Sequence, residues 1–204
     1  VKVFQLFAKH QLAQVLNTTL DEFQYHYSAI SIKLWALYDT KKITKDDLRN
    51  QRLNLVFEYF GYKNQELANQ MEDEYLSSCP DQPHLISGAK EILDYLKPKF
   101  HLHILTNGFK EIQFRKIKAS GIKDYFDCIV TSECSGYSKP DPKAFFYFLD
   151  KIKAKPSNCI MIGDNISSDI KGGRNIGMRS IHFDRKRPPE KDQISELKSL
   201  IDLI

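Results

Sequence analysis

The chain has 204 residues, of which 42% are hydrophobic and 27% are charged, and its formal net charge is +4. A chain of this size can bury a full core, and one α/β domain plus a smaller helical domain fits its length. No apolar run approaches the ~20 residues that span a membrane, and no signal peptide is visible, so we expect a soluble cytoplasmic protein. The modest charge gives no indication of a nucleic-acid polymer as partner.

The first 80 residues predict helices and no strand. Thr19 and Thr44 are each followed three residues later by an acidic residue, which is typical of a helix amino terminus. The proline-containing stretch 79–83 predicts a linker. We therefore expect a helical domain over residues 1–80 and an α/β domain over residues 81–204. The four helices are expected near 3–16, 19–38, 44–61 and 65–78.

The second part of the chain alternates short apolar runs with helical stretches. Alternation of this kind predicts right-handed crossovers and a doubly wound parallel sheet. Ligands of such sheets bind beyond the carboxyl ends of the strands, so residues that directly follow a strand are candidate site residues. We expect strands near 100–105, 127–131, 159–162 and 179–183, and helices near 109–119, 142–152 and 194–203.

Two aspartates follow the third of these strands. The strand stops at Gly163, and Asp164 and Asp169 then lie five residues apart across the turn into a helix. Carboxylates at a strand end suit Mg²⁺, a hard cation that takes one or two carboxylates together with water and phosphate oxygens. The alternative is that Asp164 caps a turn and Asp169 is a solvated helix residue. This segment alone does not decide between the two interpretations.

Two other strand ends present groups that suit a phosphate. Thr106, Asn107 and Gly108 follow the first strand, and a hydroxyl, an amide and backbone N–H groups at such a turn can surround a phosphate. An ordinary Asn-Gly turn has the same sequence. Lys139 lies in a loop that Pro140 stiffens, and a lysine held there can bind an anionic oxygen as a point charge. Most lysines, however, are solvated surface charges.

Together, these three segments resemble the second, third and fourth motifs of the haloacid dehalogenase-like (HAD) superfamily, in the same chain order. The segments are Thr106-Asn107-Gly108, Lys139-Pro140 and Gly163-Asp164 with Asp169. The resemblance implies a Rossmann-like HAD core in which Thr106 and Asn107 bind the phosphoryl oxygens. It also implies that Lys139 steadies the nucleophile and the phosphate, and that Asp164 and Asp169 hold Mg²⁺ directly or through water.

The first motif of the superfamily has no counterpart in this sequence. In the family it is Asp-x-Asp-x-Thr/Val after a central strand, and its first aspartate is the nucleophile. Here the chain opens with a helix-like segment at Val1, and the first aspartate is Asp21. We expect that the natural amino terminus is missing, and the alternative is a protein that lost its nucleophile. A missing strand predicts that the strands ending at Leu105 and Ile162 do not pair directly and lie about 9–10 Å apart, twice the ~4.8 Å spacing of neighbouring strands.

Further residues resemble one branch of the superfamily, the house-cleaning 5′-nucleotidases that act on pyrimidine nucleoside monophosphates. The helical block resembles the four-helix cap of HAD enzymes, which closes over the site and selects the substrate. Trp35 and Arg52 are equally well explained as packing or surface residues. The residues that carry this resemblance are Leu34-Trp35, Lys42-Ile43-Thr44, Gln51-Arg52, Phe109, Gln113, Lys116, Ser132-Glu133 and Gly136.

The resemblance implies a Mg²⁺-dependent phosphatase that forms an aspartyl-phosphate and acts on a small phosphate monoester. A haloacid dehalogenase is one alternative, although it would have no use for two magnesium carboxylates. An inactive HAD-fold binding protein without its nucleophile is another. A phosphomutase shares these motifs and stays open as well. Neither the oligomeric state nor the preferred base can be read from the sequence.

Overall fold

The computed structural model describes residues 2–185 and 192–204. The chain forms two compact units, Val1–Pro80 and Asp81–Ile204. Within the described residues, no helix combines the length and the apolar character needed to cross a membrane. The cytoplasmic location expected from the sequence stays a prediction.

The first unit is entirely helical. The predicted first helix is wrong as a single element, because Gln11 adopts left-handed backbone angles (φ 51°) and separates two shorter helices. An unbroken helix would turn Leu12 about 140° away from Phe7 around its axis. With the break, both Leu12 and Phe7 are buried in one core. The helices are α1 (Lys2–Lys9), α2 (Leu12–Val15), α3 (Leu20–Asp39), α4 (Lys45–Tyr59) and α5 (Gln65–Ser78).

The predicted amino termini of α3 and α4 are confirmed, and the two caps differ. At α4, Thr44 accepts a hydrogen bond from the Asp47 N–H and the Asp47 carboxylate accepts one from the Thr44 N–H, which is a complete capping box. At α3, Thr19 accepts from the Glu22 N–H at 3.2 Å. The Glu22 carboxylate accepts instead from the Thr18 hydroxyl at 2.7 Å. Each cap satisfies N–H groups that the helix itself cannot bond.

A buried ion pair joins α4 and α5. Arg52 is 6% exposed and Glu72 is 4% exposed, and the guanidinium donates to both oxygens of the carboxylate. The rings of Tyr27 and Tyr75 lie 5.5 and 5.0 Å from the guanidinium carbon. Burial raises the pKa of the Glu72 carboxyl, and the charge of Arg52 counteracts this increase. Arg52 is therefore an interior residue of the helical unit and not a surface residue.

The second unit combines helices with parallel strands. The predicted final helix at 194–203 is wrong: Ile194 pairs with Phe183 in a short strand, and Leu197–Asp202 form a 3₁₀ helix. Pairing buries Ile194 to 1% exposure, and this contact outweighs the local helical preference. The helices are α6 (Ala89–Leu96), α7 (Lys110–Ala119), α8 (Ser132–Ser135), α9 (Pro142–Ile152) and α10 (Gly172–Asn175). The strands are β1 (His103–Thr106), β2 (Cys128–Thr131), β3 (Ile160–Gly163), β4 (Arg179–Phe183) and β5 (Gln193–Ile194).

The strands form two sheets, one of β1 and β2 and one in the order β3-β4-β5, and every pairing is parallel. The α/β class with parallel strands is therefore as predicted. The expectation that the strands ending near Leu105 and Ile162 do not pair directly is also confirmed, because β1 and β3 belong to different sheets. Within the described residues, β1 and β3 each have one edge that no strand covers.

Replacement of Glu72 by leucine should lower the free energy of unfolding by about 3–5 kcal/mol, because the Arg52 guanidinium would stay buried without its partner. The double variant Arg52→Met, Glu72→Leu should recover most of that loss, since apolar groups often replace a buried ion pair without cost. Urea unfolding followed by circular dichroism measures both.

A control is the exposed ion pair of Lys153 and Asp150, whose side chains are 80% and 77% exposed. Asp150→Ala should change the unfolding free energy by no more than about 1 kcal/mol. Equal losses in Glu72→Leu and in the double variant would contradict the assignment of the buried pair.

Candidate active site

Lys139, in the loop between α8 and α9, connects the ends of two strands. It is 7% exposed, and its Nζ donates to Asp169 Oδ1 and to the Leu105 carbonyl, both at 2.7 Å. The Leu102 carbonyl accepts a hydrogen bond from the Asp127 N–H and therefore points toward β2. Because successive carbonyls alternate in direction along a strand, the Leu105 carbonyl, three residues later, points to the opposite edge of β1. The ammonium therefore lies at the uncovered edge of β1. Its third N–H has no acceptor among the residues described.

Asn107 holds the backbone of this lysine. Its Oδ1 accepts from the Lys139 N–H at 2.8 Å, and its Nδ2 donates to the Lys139 carbonyl at 2.9 Å. The hydroxyl of Ser132 in turn donates to the Asn107 carbonyl at 3.1 Å. Both polar atoms of the Asn107 side chain are thus engaged with the loop. In this geometry the Asn107 amide positions Lys139.

The turn after β1 is compact around Thr106 and Gly108. The Gly108 N–H donates to Thr106 Oγ1 at 3.1 Å. The hydroxyl proton of Thr106 has no acceptor within the described parts of the chain, so it is available to a ligand. At Gly108 a Cβ atom would lie 2.0 Å from Nε2 of Gln113, so a side chain there would displace the Gln113 amide.

Asp169 and Asp164 have different surroundings although they follow the same strand. Asp169 is 5% exposed: Oδ1 accepts from Lys139 and, at 3.1 Å, from the Ser168 hydroxyl, while Oδ2 accepts from the Asn165 N–H at 3.1 Å. The interpretation of Asp169 as a solvated helix residue is therefore wrong. Asp164 is exposed, and no described residue bonds its carboxylate. Its backbone carbonyl accepts a hydrogen bond from His182 Nε2 at 3.2 Å.

The segment after β3 explains how Asp169 reaches Lys139. Instead of starting a regular α-helix near Ser168, the chain forms a π-helix over Ile166–Lys171. The Asn165 side chain caps it by accepting from the N–H groups of Ser167 and Ser168, both at 2.9 Å. π-Helical turns are rare and occur frequently at functional sites. Here the turn brings the Asp169 carboxylate back against the end of β3.

The described residues fit a Mg²⁺ site in which the protein supplies only one or two carboxylates. Within residues 2–185 and 192–204, no three or more His, Cys, Asp or Glu side chains are grouped to hold a metal ion. The open Asp164 carboxylate suits a hard cation, and the engaged Asp169 carboxylate lies on the same strand end. Mg²⁺ keeps several waters and takes few protein carboxylates, so this donor set suits it if the remaining ligands are water and substrate oxygens.

The structure brings Thr106, Asn107, Gly108, Lys139 and Asp169 into one connected set, whereas the Asp164 carboxylate bonds to none of them. Two contributors were not assigned roles from the sequence. Ser132 belongs to a segment that the resemblance singled out without a function, and its contact with Asn107 depends on the packing of two strand ends. His182 aligns with Gly163 in the pairing of β3 and β4. Only its place at the end of a predicted strand could have pointed to it.

Comparisons with known proteins agree with this arrangement. A family model for haloacid dehalogenase-like hydrolases matches residues 2–177. The pyrimidine 5′-nucleotidase YjjG of Escherichia coli is 30% identical over 161 residues, which are 78% of this chain and 69% of that protein. The glyceraldehyde 3-phosphate phosphatase of Pyrococcus furiosus is 32% identical over 207 residues, covering 97% of this chain and 76% of that protein.

A solved structure supports the same conclusion. The magnesium-bound crystal structure of the HAD-hydrolase YfnB from Bacillus subtilis superimposes with a TM-score of 0.86 at 25% identity. The superposition covers 99% of this chain and 88% of the other. The family model covers most of this chain, and the solved structure has the same fold over nearly its whole length. This chain belongs to the haloacid dehalogenase-like hydrolases.

Proposed function

We propose that the protein is a Mg²⁺-dependent phosphatase of small phosphate monoesters, with pyrimidine nucleoside 5′-monophosphates as its substrates. The observation that carries this proposal is the position of Lys139. Asp169 binds its ammonium and Asn107 binds its backbone, and the ammonium also donates to the carbonyl of Leu105, the residue before Thr106. Such preorganised donors suit a phosphoryl group whose oxygens carry the charge. The similarity to a pyrimidine 5′-nucleotidase supports the narrower substrate class.

In this proposal the nucleophile is an aspartate on a strand outside the 204 residues, placed between β1 and β3. The uncovered edges of these two strands support that placement. The aspartate attacks phosphorus, the nucleoside 5′-oxygen leaves and takes up a proton, and water then hydrolyses the aspartyl-phosphate. Lys139 would offset the repulsion between the attacking carboxylate and the phosphate dianion.

The other residues have distinct parts in the reaction. Thr106 would donate its hydroxyl proton to a phosphoryl oxygen, and Asp169 would hold the Lys139 ammonium in place through their hydrogen bond. Asp164 would hold Mg²⁺, with Asp169 contributing directly or through water. When bound, the ion neutralises charge on the transferring phosphoryl group. We assign residues 1–80 as the substrate-selecting cap domain and residues 81–204 as the catalytic domain.

The open carboxylate of Asp164 distinguishes this proposal from a haloacid dehalogenase. A haloacid dehalogenase shares the fold and the lysine but needs no metal. An exposed carboxylate with no protein partner is then unused, whereas a phosphatase uses it to bind the ion. This difference favours phosphate over halide chemistry.

Full-length protein with Mg²⁺ should hydrolyse UMP and dUMP faster than AMP, GMP and a triose phosphate, measured as released inorganic phosphate. EDTA should abolish the hydrolysis and added Mg²⁺ should restore it, because the metal is part of the phosphoryl site. Release of halide from 2-haloacids that survives chelation would instead establish a dehalogenase.

Asp164→Asn should reduce kcat/KM at saturating Mg²⁺ by at least about 100-fold, since the amide binds the hard cation poorly. The concentration of Mg²⁺ that gives half-maximal activity should rise as well. Asp202→Asn, at an exposed position near the carboxyl terminus, is the matched control and should change neither quantity. Near-normal turnover of Asp164→Asn would show that this carboxylate does not hold the metal.

Asn107→Ala should lower kcat/KM about 10-fold or more, because the Lys139 backbone loses two hydrogen bonds of roughly 1 kcal/mol each. Asn107→Asp loses the donor to the Lys139 carbonyl and places a negative charge beside the phosphate, so it should be no more active than Asn107→Ala. Steady-state kinetics of both variants with UMP as substrate measure the change in kcat/KM. If Asn107→Ala were as active as the wild type, the two hydrogen bonds from the Asn107 side chain would not be needed to position Lys139.

A further inference from the structure

Gln113 lies directly over the turn that follows β1. A Cβ atom on Gly108 would be 2.0 Å from Gln113 Nε2, 2.8 Å from its Cδ and 2.9 Å from its Cγ. Gly108 is not among the glycines with positive φ, so its backbone angles do not demand glycine. A side chain at position 108 would therefore displace the Gln113 amide, which is the end of a flexible side chain.

The helix geometry explains this placement. Gln113 is in the first turn of α7, where its N–H donates to the Phe109 carbonyl at 2.9 Å. Side chains of an α-helix lean toward its amino terminus, so the Gln113 side chain extends back over the preceding turn. The Gln113 amide therefore lies at the end of β1, where the proposed phosphate site is.

Gln113 is half-buried, and its amide makes no hydrogen bond with any residue in the described ranges. A primary amide has two donors and an acceptor, so the Gln113 amide can donate a hydrogen bond to a ligand. The neighbouring Thr106 hydroxyl and Lys139 ammonium each have a proton without a described acceptor as well. Three donors with unused protons therefore border one turn.

We propose that Gln113 is a substrate-binding residue whose Nε2 donates a hydrogen bond to a phosphoryl oxygen. Gly108 connects it to the turn, because the Gly108 N–H bonds to Thr106 Oγ1 at 3.1 Å while the amide lies on the other side of the same residue. A phosphate monoester has three peripheral oxygens, which match the donors of Thr106, Lys139 and Gln113. This inference rests on the proposed phosphatase function and adds a residue to its phosphate site.

The test is the affinity for inorganic phosphate of the full-length protein in Mg²⁺, measured by isothermal titration calorimetry. Gln113→Leu has a similar size without the donor and should bind phosphate roughly 10- to 100-fold more weakly. Gln113→Glu places a like charge beside the anion and should bind more weakly still. Gln70→Leu, at an exposed position of α5, is the control and should bind as the wild type does.

If Gln113 only fills space over Gly108, leucine will fill it too and phosphate affinity will be unchanged, which overturns the inference while leaving the phosphatase function intact. Failure of the wild type to bind phosphate and to hydrolyse any monoester overturns the proposed function itself, and the inference with it.

A double-mutant cycle gives a second, independent measurement. Gly108→Ala should displace the Gln113 amide and weaken phosphate binding to a similar degree as Gln113→Leu. In a Gln113→Ala background the three atoms nearest to the new Cβ are absent, so Gly108→Ala should cause little further loss. Additive losses in phosphate affinity would overturn the inference, and thermal unfolding midpoints establish that each variant is folded.

Discussion

The ion pair between Lys139 and Asp169 holds the candidate site together. Both side chains are almost fully buried, and removing two charges from water costs several kcal/mol per ion unless other hydrogen bonds compensate. Here they do: Asp169 also accepts from Ser168 and Asn165, and Lys139 also donates to the Leu105 carbonyl. The pair therefore fixes the end of β1 relative to the end of β3, although these strands do not pair with each other.

The location of the candidate site at the strand ends could be predicted from the sequence. Apolar runs that stop at glycine or at a polar triplet indicated the strand ends, where ligands of parallel sheets bind. The site candidates lie at these ends, and among them only the Asp164 carboxylate makes no bond to the others. The partners of each residue were not readable. Lys139 and Asp169 are 30 residues apart, and their contact depends on a π-helical turn that no local pattern announces.

The incorrect predictions have the same physical origin. The helix predicted across Gln11 breaks because Leu12 is buried fully in the core, and the helix predicted at Ile194 is replaced by a strand that pairs with β4. In both places tertiary burial outweighs a weak local preference. Arg52 could not be assigned to the interior because its partner Glu72 lies on another helix. Capped helices, by contrast, were predicted well, since a cap is a contact between near neighbours in sequence.

Gly163 has a consequence for how this sequence can vary. A Cβ atom there would lie 2.3 Å from Oδ2 and 2.6 Å from Cγ of Asp169. Its torsion angles do not require glycine, because its φ is not positive. A saturation library at position 163 should therefore yield glycine alone among active clones, and the side chain that imposes this choice is six residues away. A larger residue would displace the Asp169 carboxylate and leave Lys139 as a buried cation without its ion-pair partner. The residues that position 163 can accept are therefore limited by the need to keep Asp169 paired with Lys139.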